Sequence, residues 1–102
     1  MSETIWIHYS RPRSHWYRLD AAEQRQHRAK WDGIAAASMV GGVTRVGRYH
    51  VRGQHDFQEV EIWKFATPEA AFQHWAQLTA VGYNEWFAFA NNVGMALDEA
   101  AP

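Results

Sequence analysis

The chain is expected to fold as a single α+β domain over residues 1–102, an antiparallel four-stranded sheet with two helices on one face. Three observations predict it. Apolar and polar residues alternate over residues 4–10 and on both sides of Gly53-Gln54-His55-Asp56, which is strand and hairpin patterning. Helix-start signals stand at Asp20 and at Thr67, between those runs. A further apolar run follows Gly82. Strand, helix, hairpin, helix and strand in that order make the βαββαβ unit of ferredoxin-like folds.

In the first strand Ile5, Ile7 and Tyr9 alternate with Trp6 and His8. Both faces carry large residues, as in a strand covered on both sides. Residues 11–19 read as a loop. Asp20 with Glu23 three residues on is a capping box, so the first helix runs from there to about Met39. Its thin stripe is His27, Trp31, Ile34, Ala35 and Ser38. Gly33 inside it costs roughly 1 kcal/mol relative to Ala, which suggests close packing on the sheet.

The hairpin strands are placed near residues 43–52 and 57–66. With Arg52 opposite Phe57, His50 faces Glu59, Arg48 faces Glu61 and Val46 faces Trp63, and opposed residues share a face. The other face carries Tyr49, Val51, Val60 and Ile62, joined by Ile5 and Ile7. Left open, that face is a large apolar patch, so a second copy is expected to cover it in a homodimer closed sheet to sheet. Thr67-Pro68-Glu69 opens the second helix, with Ala71, Phe72, Trp75, Leu78 and Thr79 on its inner face and His74 toward the surface. Gly82 ends it. Residues 83–93 fit either a short strand or a helical turn.

Composition narrows the function. Net charge is −1, without the basic excess of a nucleic-acid binder. Cysteine is absent, which removes disulfide and thiolate chemistry. No membrane span and no secretory leader is read, so a cytoplasmic protein is expected. Six Trp and six His in 102 residues suit a chain that encloses something or buries a face against its own copy.

The candidate site is the polar hairpin face. Glu59 and Glu61 point the same way along one strand. Two carboxylates near each other, with His50 and Arg48 beside them, can supply an acid or base near neutral pH. His50, Glu59 and Glu61 are therefore the candidate catalytic residues. Arg48 would orient or neutralise an anionic group. Trp6, Trp63, Trp75, His8 and His27 complete a candidate binding set for a small, largely apolar or aromatic molecule. No metal-ligand spacing, glycine-rich phosphate loop or nucleophile elbow is present, and no metal or cofactor is implied.

Glu61-Ile-Trp-Lys-Phe-Ala-Thr-Pro-Glu-Ala-Ala-Phe-Gln-His-Trp75 resembles the third strand and second helix of the dimeric α+β barrel superfamily, notably its antibiotic-biosynthesis monooxygenase and haem-degrading branches. His15-Trp-Tyr-Arg-Leu-Asp-Ala-Ala-Glu-Gln-Arg25 is similar to the first-helix entry of darcynin-type small proteins, and residues 82–94 to their last-strand segment. The resemblance implies a pocket between each subunit's sheet and its own helices, with Trp63 at the position of a pocket tryptophan. The haem-degrading branch has an asparagine near His8 or Tyr9 and a histidine after the second helix. This chain has neither, and carries Asn84 and Glu85 near the latter place. The reading is thus a homodimeric, cofactor-free small-molecule protein, either an enzyme of oxygenation or proton transfer or a non-catalytic binder. Haem binding through His8, His27 or His74 is the remaining class.

Overall fold

A computed structural model describes residues 3–53 and 56–97. The elements are β1 (Thr4–Pro12), a 3-10 turn (Ser14–Arg18), α1 (Ala21–Val40), β2 (Thr44–His50), β3 (Glu59–Phe65), α2 (Pro68–Ala80), the single turn α3 (Tyr83–Trp86) and β4 (Phe87–Met95). The strands form one antiparallel sheet in the order β2-β3-β1-β4. This is the expected ferredoxin-like architecture. Among the described residues, no helix is long and apolar enough to cross a membrane.

Local chemistry explains the boundaries. The Asp20 carboxylate accepts from the Glu23 N–H at 2.8 Å and the Glu23 carboxylate accepts from the Asp20 N–H at 3.1 Å, closing both halves of the capping box. Thr67 Oγ1 accepts from the Ala70 N–H and Pro68 occupies the first turn of α2. Gly82, at φ 84°, turns the chain out of α2 in a left-handed conformation that costs a residue with a Cβ. The run after it is both alternatives in succession, a helical turn that then extends into β4.

Along β1, Thr4, Trp6, His8 and Ser10 are buried, and Ile5, Ile7 and Tyr9 are half-buried on the other face. The buried side meets the helices in a core of Trp6, Trp16, Trp31, Trp63, Phe65, Ala71, Leu78, Tyr83 and Phe87. Each large side chain removed from water in this way contributes roughly 1.5–3 kcal/mol. The opposite sheet face carries Ile5, Ile7, Tyr9, Val60 and Ile62, half-buried, and Tyr49, exposed.

Four details correct the expectations. His50 pairs with Glu59 and Arg48 with Glu61, but a bulge between Arg45 and Gly47 puts Arg45, not Val46, opposite Trp63. The expected Arg52–Phe57 pair lies beyond the strand ends, and the turn residues 54 and 55 lie outside the described residues. On α2 the buried stripe is Ala71, His74 and Leu78, so His74 is inside and Phe72 is 58% exposed. Gly33 is exposed and a Cβ there would meet nothing within 4 Å, so close packing is not its reason.

Replacing Gly82 with Ala is expected to destabilise the fold by about 1–2 kcal/mol, read as a lower urea midpoint at unchanged slope. An unshifted midpoint would show that the turn into α3 does not need the left-handed residue.

Candidate functional site

Period-two alternation aims His8 from the centre of the sheet toward the helices, where it is 1% exposed. Its Nδ1 lies 2.6 Å from Asn91 Oδ1, on the neighbouring strand β4. Its Nε2 lies 2.8 Å from the Tyr83 hydroxyl, on α3. A carboxamide oxygen only accepts, so Nδ1 carries the ring proton and the Tyr83 O–H donates to Nε2. Burial depresses His8 from 6.5 to about 4, against the opposing effect of the hydrogen bond it donates to Asn91. The ring is therefore neutral near pH 7. Burial pushes the Tyr83 phenol well above its ordinary value, the Ser10 hydroxyl acts against this, and the charges of Glu61 and Glu59 add to it.

His74 is the second buried imidazole. Burial, and then the proximity of His8, lower it from 6.5 to about 4. It shares a 2.7 Å hydrogen bond with the Ser38 hydroxyl, which ties α2 to α1. Its ring packs 4.8 Å from Trp63 and 5.4 Å from Trp6.

Beside these groups lies a cavity of about 140 Å³ between the sheet and the helices. Trp6, Trp31, Trp63, Leu78 and Phe87 form its apolar wall, and His8, Ser10, Tyr83, Glu59, Glu61 and Arg45 are among its polar groups. Glu61 accepts from the Trp63 indole N–H at 3.2 Å and lies 4.0 Å from Arg45, whose guanidinium stands 5.6 Å over the Trp63 ring. Arg48 reaches diagonally to Glu59 at 3.6 Å instead of across to Glu61. Both ion pairs are long and partly exposed, and such pairs contribute only about 0–1 kcal/mol. The carboxylates are thus held in place without being locked. Chemically, the arrangement offers carboxylates, guanidinium groups and aromatic walls.

Of the sequence-predicted residues, Glu59, Glu61, Arg48, Trp6, Trp63 and His8 come together on this cavity. His50 does not line it. It is exposed, in a shallow surface depression with Arg11, Arg52 and Phe57. Trp75 stands behind the wall, 5.3 Å from the His8 ring and 4.4 Å from Phe89. His27 packs on Trp16, Trp31 and Trp86 away from the cavity, with its buried Nδ1 lacking a partner among the described residues. The residues missed are chiefly Ser10, Tyr83, Asn91 and Arg45. Alternation from His8 points to Ser10, whereas the bulge hid Arg45.

No three metal-ligating side chains come together among the described residues. Of the histidines expected as haem ligands, His8 and His74 line the cavity and His27 does not. Sites that enclose drug-sized ligands measure about 300–1,000 Å³, well above this cavity. Both His8 nitrogens are engaged, His27 does not reach the cavity, and His74 is wedged between indoles and tied to Ser38.

The two buried imidazoles set a pH dependence. Unfolded, both titrate near 6.5, and folded, only at about 4. Between those values the unfolded chain binds more protons, so stability is full above 6.5 and falls as pH drops through the window. The expected loss is about 3 kcal/mol for His8, and His74 adds to it. His74→Leu should show a shallower decline between pH 6.5 and 5 in urea titrations, and identical slopes would contradict a neutral, buried His74.

Neither a family model nor a curated protein matches the chain. Its fold does match solved structures of chlorite dismutase from Candidatus Nitrospira defluvii. One mutant in complex with cyanide superposes with a TM-score of 0.78 at 11% identity, over 94% of this chain and 40% of that one. The form in complex with imidazole gives 0.73 at 15%, over 93% and 40%. A double mutant gives 0.75 at 15%, over 95% and 41%. The chain therefore spans about two-fifths of the length of the structures it matches. At these identities the likeness is one of fold: the chain is similar to a ferredoxin-like α+β unit of chlorite dismutase.

Proposed function

We propose that this chain is a small-molecule-binding homodimer that takes a benzene-sized, largely aromatic molecule into the cavity between its sheet and helices without a cofactor. The observation that carries this reading is the cavity itself, about 140 Å³ and walled by three tryptophans. An apolar protein cavity of about 150 Å³ is large enough to admit benzene. Binding sites combine apolar walls with placed polar groups, and here tryptophans, Leu78 and Phe87 stand opposite a larger set of charged and polar side chains. Glu61, held by the Trp63 N–H, offers a bound ligand a proton acceptor, and Glu59 and Arg48 form the second charged pair. The same geometry serves a binder or a cofactor-free proton-transfer or oxygenation enzyme. The binder needs only the walls, and the enzyme needs Glu61 to take a proton from the ligand.

The homodimer rests on the open sheet face. Ile5, Ile7, Tyr9, Val60 and Ile62 are half-buried there and Tyr49 is 51% exposed, an apolar surface on the side away from the helices. A second copy placed sheet to sheet covers it without disturbing the cavity.

Two outcomes are expected. Saturation-transfer NMR with benzene or toluene should show binding to the wild-type chain. In Ala35→Phe, which fills the cavity from α1, affinity should fall by roughly tenfold or more. Equal binding by that variant would place the ligand elsewhere. Sedimentation should give a dimer for the wild type and a monomer for Ile62→Lys, and a monomeric wild type would remove the sheet-to-sheet assembly.

A further inference from the structure

We propose that the α1 wall of the cavity is an oxygen-reading subsite, where the Trp31 indole N–H donates to the carbonyl oxygen of a small, uncharged aromatic aldehyde or ketone. This rests on the cavity reading above and adds the chemical class of the ligand.

One buried donor stands unsatisfied on this wall. Trp31 is 7% exposed and lines the cavity. Its indole N–H is buried and has no hydrogen-bond partner among the described residues. An indole N–H only donates, so what it lacks is an acceptor. The acceptors around the cavity are already engaged. Glu61 takes the Trp63 N–H and faces Arg45, Glu59 faces Arg48, and the Tyr83 oxygen is shared between His8 and Ser10. The Tyr83 and Phe87 rings meet Trp31 nearly at right angles, and aromatic faces are weak acceptors. An unmade buried hydrogen bond is costly, so a ligand oxygen at Trp31 gains what a hydrocarbon cannot.

Charge decides between a carbonyl and a carboxylate. Helical spacing puts Arg28, Trp31, Asp32 and Ala35 on one face of α1, and all four line the cavity. The Arg28 guanidinium lies over the Trp16 and Phe87 rings at 5.2 and 5.6 Å and makes no ion pair among the described residues. Asp32 brings the opposite charge to the same wall. Arg45 and Arg48 are likewise matched by Glu61 and Glu59. A ligand carboxylate would give up its hydration for no net positive charge, whereas a neutral carbonyl gives up far less.

Benzaldehyde and styrene share a shape and differ by an oxygen in place of a methylene, so they serve as the probes, with benzoate as the charged third. The ratio of benzaldehyde affinity to styrene affinity should fall roughly tenfold from the wild type to Trp31→Phe, which keeps a ring and loses the N–H. In the wild type, benzoate should bind more weakly than benzaldehyde. An independent readout is the ¹⁵N–¹H spectrum of the indoles in the wild-type protein. The Trp31 N–H proton should move downfield with benzaldehyde and not with styrene. An unchanged affinity ratio, a Trp31 signal that responds alike to both probes, or benzoate binding tightest overturns the assignment while leaving the cavity in place. Failure of all three probes to bind removes the cavity reading itself, and the proposal with it. If Trp31→Phe does not fold, the indole shift and the wild-type comparison with benzoate still decide.

Discussion

The structure depends on keeping one imidazole out of water. His8 occupies the middle of β1, one of the two interior strands, and its burial must be offset by hydrogen bonds on both ring nitrogens. The two partners come from different elements. Asn91 lies across the ladder on β4, and Tyr83 is delivered by the single turn α3 that Gly82 makes possible. One ring therefore couples the centre of the sheet, its edge and the end of α2. The three-membered chain has only one consistent placement of protons while the ring is neutral. Burial keeps it neutral by holding its pKa far below the ordinary histidine range.

The packing around that chain explains why space remains. Trp6, Trp31 and Trp63 are large and rigid, and they meet most of their neighbours tilted or edge-on, although Trp63 stacks on Phe65 and Trp31 on His27. Tilted rings preserve favourable aromatic geometry but cannot fill the volume that smaller, more adaptable side chains would take. The void lies where the indoles diverge, between His8 and Tyr83 on one side and the Glu61–Arg45 pair on the other. Its position is thus a consequence of the same aromatic composition that makes the core. Its polarity comes from β3, whose residues nearest the helices change from Phe65 and Trp63 to Glu61 and Glu59 along the strand.

Much of this was legible in the sequence where a local rule fixes the outcome. The Asp20–Glu23 box and the Thr67-Pro68 start set both long helices. Two-residue alternation put His8, Glu59, Glu61 and Trp63 on one face, and the His50–Glu59 and Arg48–Glu61 pairs have the expected register. What was not legible depends on events without a periodic signature. The bulge after Arg45 shifts one residue and exchanges Val46 for an arginine over Trp63. His50 shares the face of Glu59 but lies past the edge of the helical cover, a matter of tertiary placement. The stripe of α2 was read about one residue out of phase, which placed Phe72 inward and His74 outward. Tyr83 belongs to a run too short for either period to show, so its meeting with His8 could not be seen.

A space of molecular size lies beside Trp6, Trp31 and Trp63 beneath the protein's own helices. Its most direct test is a crystal structure of the protein equilibrated with benzene vapour. The account predicts density for one flat molecule bounded by those three indoles, with the His8–Tyr83 and His8–Asn91 contacts intact. Density at other positions only, or a closed core in which the indoles meet and leave no room, would contradict it.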